Sequence, residues 1–361
     1  MVAKSSELKD KPAISDRFRI GRLLRSSDLQ ELFGLIIMLV LIVIVMSSLS
    51  DVFLTSRNFN NLLLSSSTIG IIAVFTTMLM IGGGLDLSVA STAALSGVVI
   101  GVLQEPLGLV GASIAGLATG TFVGLVNGYL VTFVGINALI TTLGMLSIAR
   151  GFAFVLSDAL TIPVFSVEPD QIEIYTQFTN LSEGTIPLPL LGEVPFPVIF
   201  TLALFVIGVS VLRFTTYGRA MYAIGGNEEA SRLAGLAVRR YRLIAFTLSG
   251  LSAAVAGLFL TSRLYAADPR AAPNVELTVI TAVVLGGTSL AGGKGSLLGT
   301  LLGVMILSTL LNGLNLQSVS TEYQNIAQGL VLLIAVLIDQ IRLGNVKIGI
   351  EQIRKRLKRQ E

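Results

Sequence analysis

Gly218-Arg-Ala-Met-Tyr-Ala-Ile-Gly-Gly-Asn-Glu-Glu-Ala-Ser-Arg-Leu-Ala-Gly235 is the polar centre of a basic insert, residues 213–242, in a sequence that is otherwise close to continuous apolar segments. Asn227 is a good N-cap, Glu228 and Glu229 place negative charge where a helix N-terminus favours it, and Gly235 is a natural C-terminal stop. The helix bounded in this way has about two turns, too few to persist alone in water, so it needs a partner or a tight scaffold. Ala230, Leu233 and Ala234 fall at helical spacing and form one small apolar face, the shape of a knob that seats in a groove. The stretch predicts a docking helix on the cytoplasmic side of a membrane protein.

The remainder of the 361 residues supports that setting: 53% are hydrophobic, mean hydropathy is +0.81, and several apolar runs approach the roughly 20 residues that cross a bilayer. The expected fold class is all-α, a polytopic membrane helix bundle. The chain has no Cys and no His. Thiolate chemistry, histidine general bases and Ser-His triads are therefore excluded, and no metal or cofactor is called for.

In chain order, residues 1–30 are polar and basic, and the apolar run that follows continues to Ser48 without a cleavage site of small residues, which reads as an uncleaved first helix. Further spans are expected near 60–81, 87–103, 107–131, 136–156, 195–212, 243–262, 276–290, 296–312 and 324–340, about ten in all. Short apolar stretches beside glycine breaks are open to a re-entrant reading. The organisation is thus a basic segment at 1–30, a membrane domain at 31–341 and a basic tail at 342–361. Residues 157–194 read as a long extracytoplasmic loop with six acids and no Lys or Arg. Placing both termini, the insert at 213–242 and Lys294 in the cytoplasm puts 21 of the 25 Lys and Arg residues there, as the positive-inside rule requires.

Gly116, Gly120, Gly124 and Gly128 repeat every four residues, as do Gly295, Gly299 and Gly303, and such stripes let helix backbones approach closely in lipid. The echo between Gly120-Thr121 with Gly124 and Gly299-Thr300 with Gly303 hints at an inverted internal repeat. Asp86 is the outstanding single residue. An acid between Gly82-Gly-Gly84 and an apolar run must face water, cap a helix or pair. Capping of the third helix and contact with a passing solute are both open. Asn127, Asn137, Thr141 and Thr142 are polar groups on membrane helices, serving as helix-to-helix glue or as ligand contacts, and Asn274 with Glu276 would line the outer entrance. The candidate path is Asp86, Ser88, Asn127, Asn137, Thr141 and Asn274.

Three stretches carry a resemblance: the 218–235 run, Gly82-Gly-Gly-Leu-Asp-Leu-Ser-Val89, and Val284-Leu-Gly-Gly-Thr-Ser-Leu-Ala-Gly-Gly-Lys-Gly-Ser296. Together they resemble the permease subunits of bacterial ABC sugar importers, the branch for ribose, galactose, related monosaccharides and autoinducer-2, over roughly residues 30–342. Ala90 departs from the glycine found there. The resemblance implies that Gly218, Arg219, Gly225, Gly226, Asn227, Glu228, Glu229, Ala230, Leu233 and Gly235 form an ATPase-coupling loop. It also implies two ATP-binding cassette ATPase domains, a second permease subunit and an extracytoplasmic solute-binding protein as partners, in the inner membrane of a bacterium.

Enzyme readings fail on the residues. Gly292-Gly-Lys-Gly-Ser296 lacks a P-loop's leading glycine, having Thr288 instead, and has Gly295 where Ser or Thr must follow Lys294. ATP hydrolysis is therefore expected on a separate subunit. The basic residues track topology and make no nucleic-acid groove; the basic tail reads as solvated or in contact with lipid headgroups. The competing class is an ion-coupled secondary transporter, which would bury ionisable groups near the midplane, where Asp86 is the one clear carboxylate.

Overall fold

The computed structural model describes residues 26–165, 171–188 and 192–342; the basic segment before 26, the tail after 342 and the loop acids Glu168 and Asp170 lie outside them. Twelve α-helices account for most of the described chain. They are α1 (Ser26–Leu49), α2 (Ser56–Ile81), α3 (Val89–Tyr129), α4 (Ala138–Leu156), α5 (Ile172–Glu183), α6 (Phe196–Phe214), α7 (Thr216–Gly226), α8 (Glu228–Leu233), α9 (Val238–Leu264), α10 (Val275–Leu285), α11 (Leu297–Leu316) and α12 (Thr321–Arg342). Among the described residues, eight helical segments are long and apolar enough to cross a membrane, and α10 is a shorter apolar helix. The chain is a polytopic helical bundle.

The difference between eight segments and the ten spans expected has two sources. The stretch Val89–Val134 is continuous in helical hydrogen bonding, yet Gly108 sits at φ 67° and ψ 162° just after Pro106, a conformation no helix contains. The legs 89–107 and 109–129 fold back on each other, so that a Cβ on Gly120 would lie 3.0 Å from Ser96 Oγ. They are two helices joined by a glycine bend. The other source is α10, which ends at Leu285 and not near 290, because Gly286 and Gly287 stop it and Gly287 takes φ +87°. Its 11 residues rise about 16 Å, half of what a hydrocarbon core requires.

Small residues set the helix contacts. The second leg of α3 packs on α9 with backbone against backbone: a Cβ on Gly120 would stand 2.7 Å from Gly250 O, and one on Gly124 would overlap Phe246 O. The pair α10 and α11 repeats the device, since a Cβ on Gly286 would lie 2.5 Å from the Gly299 carbonyl carbon and one on Gly303 would overlap Ala282 O. Thr77 Oγ1 and Thr300 Oγ1, 2.8 Å apart, join α2 to α11. In lipid, where apolar burial gains little, this close approach and these hydrogen bonds hold the bundle together.

The bundle has two ends. The near end collects residues 82–88, 215–237 and 286–296; the far end collects 157–165, 171–188, 192–195 and 265–274. The region 157–194, expected as a plain loop, contains α5 and a hairpin of β2 (Thr185–Leu188) with β3 (Gly192–Pro195). Strands β1 (Ile162–Pro163) and β4 (Ala266–Ala267) pair antiparallel across the far end. Phe178 of α5 is buried, and Ser262 Oγ of α9 donates to Phe178 O at 2.7 Å, so contacts that no periodicity announces hold α5 in place. Arg150 Nη1 donates to Pro269 O at 2.7 Å and Ala271 O at 2.9 Å, pinning the 265–274 turn to α4.

Gly124→Ala is expected to destabilise the folded protein by about 1–3 kcal/mol, the usual result of overpacking a full contact. Gly144→Ala, on a helix surface with nothing within 4 Å of the added carbon, should leave stability unchanged. Thermal unfolding of both variants in detergent checks this, and equal midpoints would refute the packing account.

Candidate functional site

The three polar stretches of the sequence meet in space at the near end. Gly293 N donates to Ile81 O at 2.8 Å, and a Cβ on Gly225 would overlap that same carbonyl. A Cβ on Gly292, at φ +85°, would stand 3.0 Å from Gly83 Cα; one on Gly293, at φ +73°, would stand 2.8 Å from Gly226 Cα. Side chains are therefore absent where the ends of α2 and α7 and the turn after α10 cross. Tyr222 Oη donates to Gly295 O at 2.8 Å and ties α7 to that turn once more.

On this node stands α8. Asn227 Oδ1 accepts from Ala230 N at 2.9 Å, the N-cap that the sequence announces. Glu228 and Glu229 occupy the first turn and Arg232 the last, matching the helix dipole. Gly235 takes φ +84°, with Leu236 N bonded to Ser231 O at 3.0 Å, a left-handed stop that a β-branched residue would strain. Ser231 faces inward, whereas Ala230 and Ala234 are exposed and Leu233 is 81% exposed. Among the described residues, none covers this apolar knob, which projects outward. Gly218 has a different role: a Cβ there would run into Leu212, where α7 turns back on the end of α6. Arg219 is exposed on α7, a helix the sequence reading passed over as part of a loop.

Asp86 is buried a few residues from the node. Its Oδ1 accepts from Ser88 N at 2.9 Å, Ser88 Oγ at 2.7 Å and Asn127 Nδ2 at 3.4 Å; its Oδ2 accepts from Ser249 Oγ at 3.0 Å. Asn127 Nδ2 also donates to Ser88 Oγ at 2.9 Å. The carboxylate therefore closes a turn onto Ser88 and does not cap α3 in the usual sense; Ser88 is the N-cap position and makes no side-chain cap bond. Burial pushes the Asp86 carboxyl above the ordinary carboxylate range, while hydrogen bonds from Ser88 and Ser249 pull it back.

Of the candidate path residues, Asp86, Ser88 and Asn127 come together as one buried cluster. Asn137 caps α4, accepting from Leu139 N at 2.9 Å, and its carbonyl accepts from Thr141 Oγ1 at 3.0 Å. Asn274 lies at the far end, at φ +58° just before α10. Two members escaped the sequence reading. Ser249 carries no pattern signal beyond being a hydroxyl on an apolar helix. Arg242, read only as a charge marking topology, donates from Nε to Gly82 O at 2.9 Å and from Nη1 to Glu228 Oε2 at 2.6 Å.

Asp86→Ala should lower stability by about 2–4 kcal/mol, because each buried donor left unpaired costs roughly 1–3 kcal/mol. Thermal unfolding in detergent, against Asp51→Ala on an exposed turn as control, measures it. A variant as stable as the parent would show that the cluster contributes nothing.

A family profile described as branched-chain amino acid transport system / permease component matches residues 58–336. The ribose import permease protein RbsC of Escherichia coli is 41% identical over 315 residues, covering 86% of this chain and 94% of that protein. RbsC of Bacillus subtilis is 39% identical over 84% of this chain and 90% of its own length. The L-arabinose ABC transporter permease protein AraH of Azospirillum brasilense is 40% identical over 80% and 82%. The match spans α2 to α12 and includes the glycine node, α8 and the Asp86 cluster, and so the chain belongs to this family of transport permeases.

Proposed function

We propose that this chain is the membrane-spanning permease subunit of an ATP-binding cassette importer, with ATP hydrolysed by two ATPase domains that dock on α8. The observation that carries the reading is a six-residue helix, capped at both ends and seated on a glycine node, whose apolar face no described residue covers. A helix this short would be an odd elaboration for a transporter that works alone. The family relatives add weight, since one of them is named an ABC transporter permease.

The charge distribution orients the bundle. Arg213, Arg219, Arg232, Arg239, Arg240, Arg242 and Lys294 lie in or beside the near end, whereas the far end holds Asp158, Glu173, Glu183, Glu193 and Asp268, with Arg270 the one cation among its described residues. By the positive-inside rule the near end is cytoplasmic. Glu31 of α1 approaches Gly287, and Ser289 Oγ donates to Asp339 Oδ2 of α12 at 3.1 Å, so the first and last helices also begin and end there. Both termini then lie in the cytoplasm, and the far end receives the solute-binding protein. A second permease subunit, identical or homologous, completes the path.

The solute is an uncharged, polyhydroxylated molecule of monosaccharide size, as the names of the ribose and arabinose relatives suggest. The family description raises an amino acid instead. A zwitterion in the path needs fixed counter-charges, and the two best placed are engaged: Asp86 by Ser88, Asn127 and Ser249, and Arg150 by the carbonyls of Pro269 and Ala271. The same engagement weakens the ion-coupled alternative, which relies on Asp86 being free to bind an ion. Ligand binding to the cognate binding protein discriminates: a pentose or hexose is expected, and a branched-chain amino acid would overturn the sugar reading.

Leu233→Asp and Ala230→Glu each put an unpaired charge into the proposed contact, costing roughly 2–5 kcal/mol. At 1.4 kcal/mol per tenfold, co-purification with the ATPase should weaken about 30-fold or more. The permease should still insert, because both positions lie outside the bundle. Gly235→Val should retain some binding but uncouple hydrolysis from uptake. Wild-type uptake by all three variants would reduce α8 to a solvated linker.

A further inference from the structure

Arg242 lies about one turn into α9, its side chain 18% exposed, with its guanidinium between α8 and the end of α2. One arm, Nη1, holds Glu228 Oε2 of α8 at 2.6 Å; another, Nε, holds the carbonyl of Gly82 at the end of α2 at 2.9 Å. The third nitrogen lies along the glycine turn, where a Cβ on Gly83 would stand 3.2 Å from Nη2. We infer that Arg242 is a positioning residue that carries displacement of α8 to the Asp86 cluster, an inference that rests on the ATPase-docking reading above.

Stability does not account for this arrangement. Glu228 is 56% exposed, and an ion pair with one partner in solvent contributes little to folding. What the guanidinium supplies is geometry, because its planar fork fixes the direction of both bonds at once. Gly82 O belongs to the last turn of α2, where carbonyls lack helical partners and depend on outside donors. Beyond it the chain runs through Gly83, at φ +76°, and Gly84, two residues without side chains to anchor them, and reaches Asp86. Gly83 N and Gly84 N are bonded back to Met80 O at 2.9 Å and Leu79 O at 3.0 Å, so the turn moves as a unit with the carbonyl that Arg242 holds.

The α9 helix grips this turn twice. Arg242 and Ser249 are seven residues apart, two turns on the same face. The first holds Gly82, and the second donates to Asp86 Oδ2 at 3.0 Å. Asp86 in turn holds Ser88 at the start of α3 and Asn127 near the end of its second leg. Movement of Glu228 with a docked α8 therefore has a continuous bonded route: Arg242, Gly82, Asp86, then both legs of α3. The chain also leaves α8 on both sides, through Asn227 into α7 and through residues 234–237 into α9, but α7 meets the Asp86 turn only by backbone packing at the glycine node, and the backbone entry into α9 reaches Asp86 only through Ser249.

The test uses the assembled complex, permease with ATPase and binding protein, in proteoliposomes, and reads solute taken up per ATP hydrolysed. Arg242→Gln should assemble as the parent does and hydrolyse ATP within about twofold of it, yet uptake per ATP should fall about fivefold or more, the scale of a typical coupling between sites. Arg242→Lys should fall as well, because a single ammonium cannot hold both partners in the same directions. The exchange Glu228→Arg with Arg242→Glu restores the charge pair without a donor for Gly82 O, and should not recover coupling.

Unchanged uptake per ATP in Arg242→Gln, or recovery in the exchange, would overturn the inference while leaving the docking reading intact. Parallel loss of assembly, hydrolysis and uptake would show that Arg242 only supports the fold, and would overturn it too. Failure of the parent chain to assemble with an ATPase would instead strike the docking reading itself.

Discussion

The carbonyl of Ile81 accepts from Gly293 N at 2.8 Å while the backbone of Gly225 presses on the same oxygen. Three segments far apart in the chain, the end of α2, the end of α7 and the turn after α10, can share this spot only because none has a side chain there. The constraint is steric before it is energetic. With it in place, α8 is presented outward from a rigid base and the Asp86 turn is held directly beneath. Without it, the helices on either side of the 213–242 insert would have no fixed relation to the helices that surround the polar cluster.

The same principle, glycine permitting contact of backbone with backbone, recurs within the bundle between α3 and α9 and between α10 and α11. Repetition of one packing device in both halves makes a scaffold into which buried polar groups such as the Asp86 cluster and the Thr77–Thr300 pair are fitted. The far end uses other means: a two-residue strand pair, a short helix and the bonds of Arg150 to carbonyls at 269 and 271. It is bound by side chains and local pairing.

Much of this was legible because membrane chemistry writes plainly. Apolar runs of span length, the bias of Lys and Arg, and the Asn227 to Gly235 signature located the helices, the polar insert and α8 with its caps. The glycine stripe of α3 announced a close contact, though not that α9 was its partner. Proximity across hundreds of residues leaves no local trace, so the convergence of residues 82–84, 225–226 and 292–293 was not readable, nor was Ser249 as a donor to Asp86. The role of Arg242 was hidden for a different reason: its charge already had an explanation in topology. Residues 172–183 were missed as a helix because Pro residues on both sides and a polar composition read as loop, while burial of Phe178 against α9 is what secures them.

The central claim is that an ATPase covers the open face of α8. Because the chain contains no Cys, a single thiol can be placed at will. The most direct measurement follows the reactivity of Leu233→Cys toward a membrane-impermeant maleimide in permease reconstituted with both faces accessible, with and without the partner ATPase; Leu160→Cys at the far end, 67% exposed, serves as the reference. The account predicts that the ATPase protects position 233 and leaves position 160 as reactive as before. Equal reactivity of position 233 in the two samples, with the ATPase shown to be bound, would contradict it.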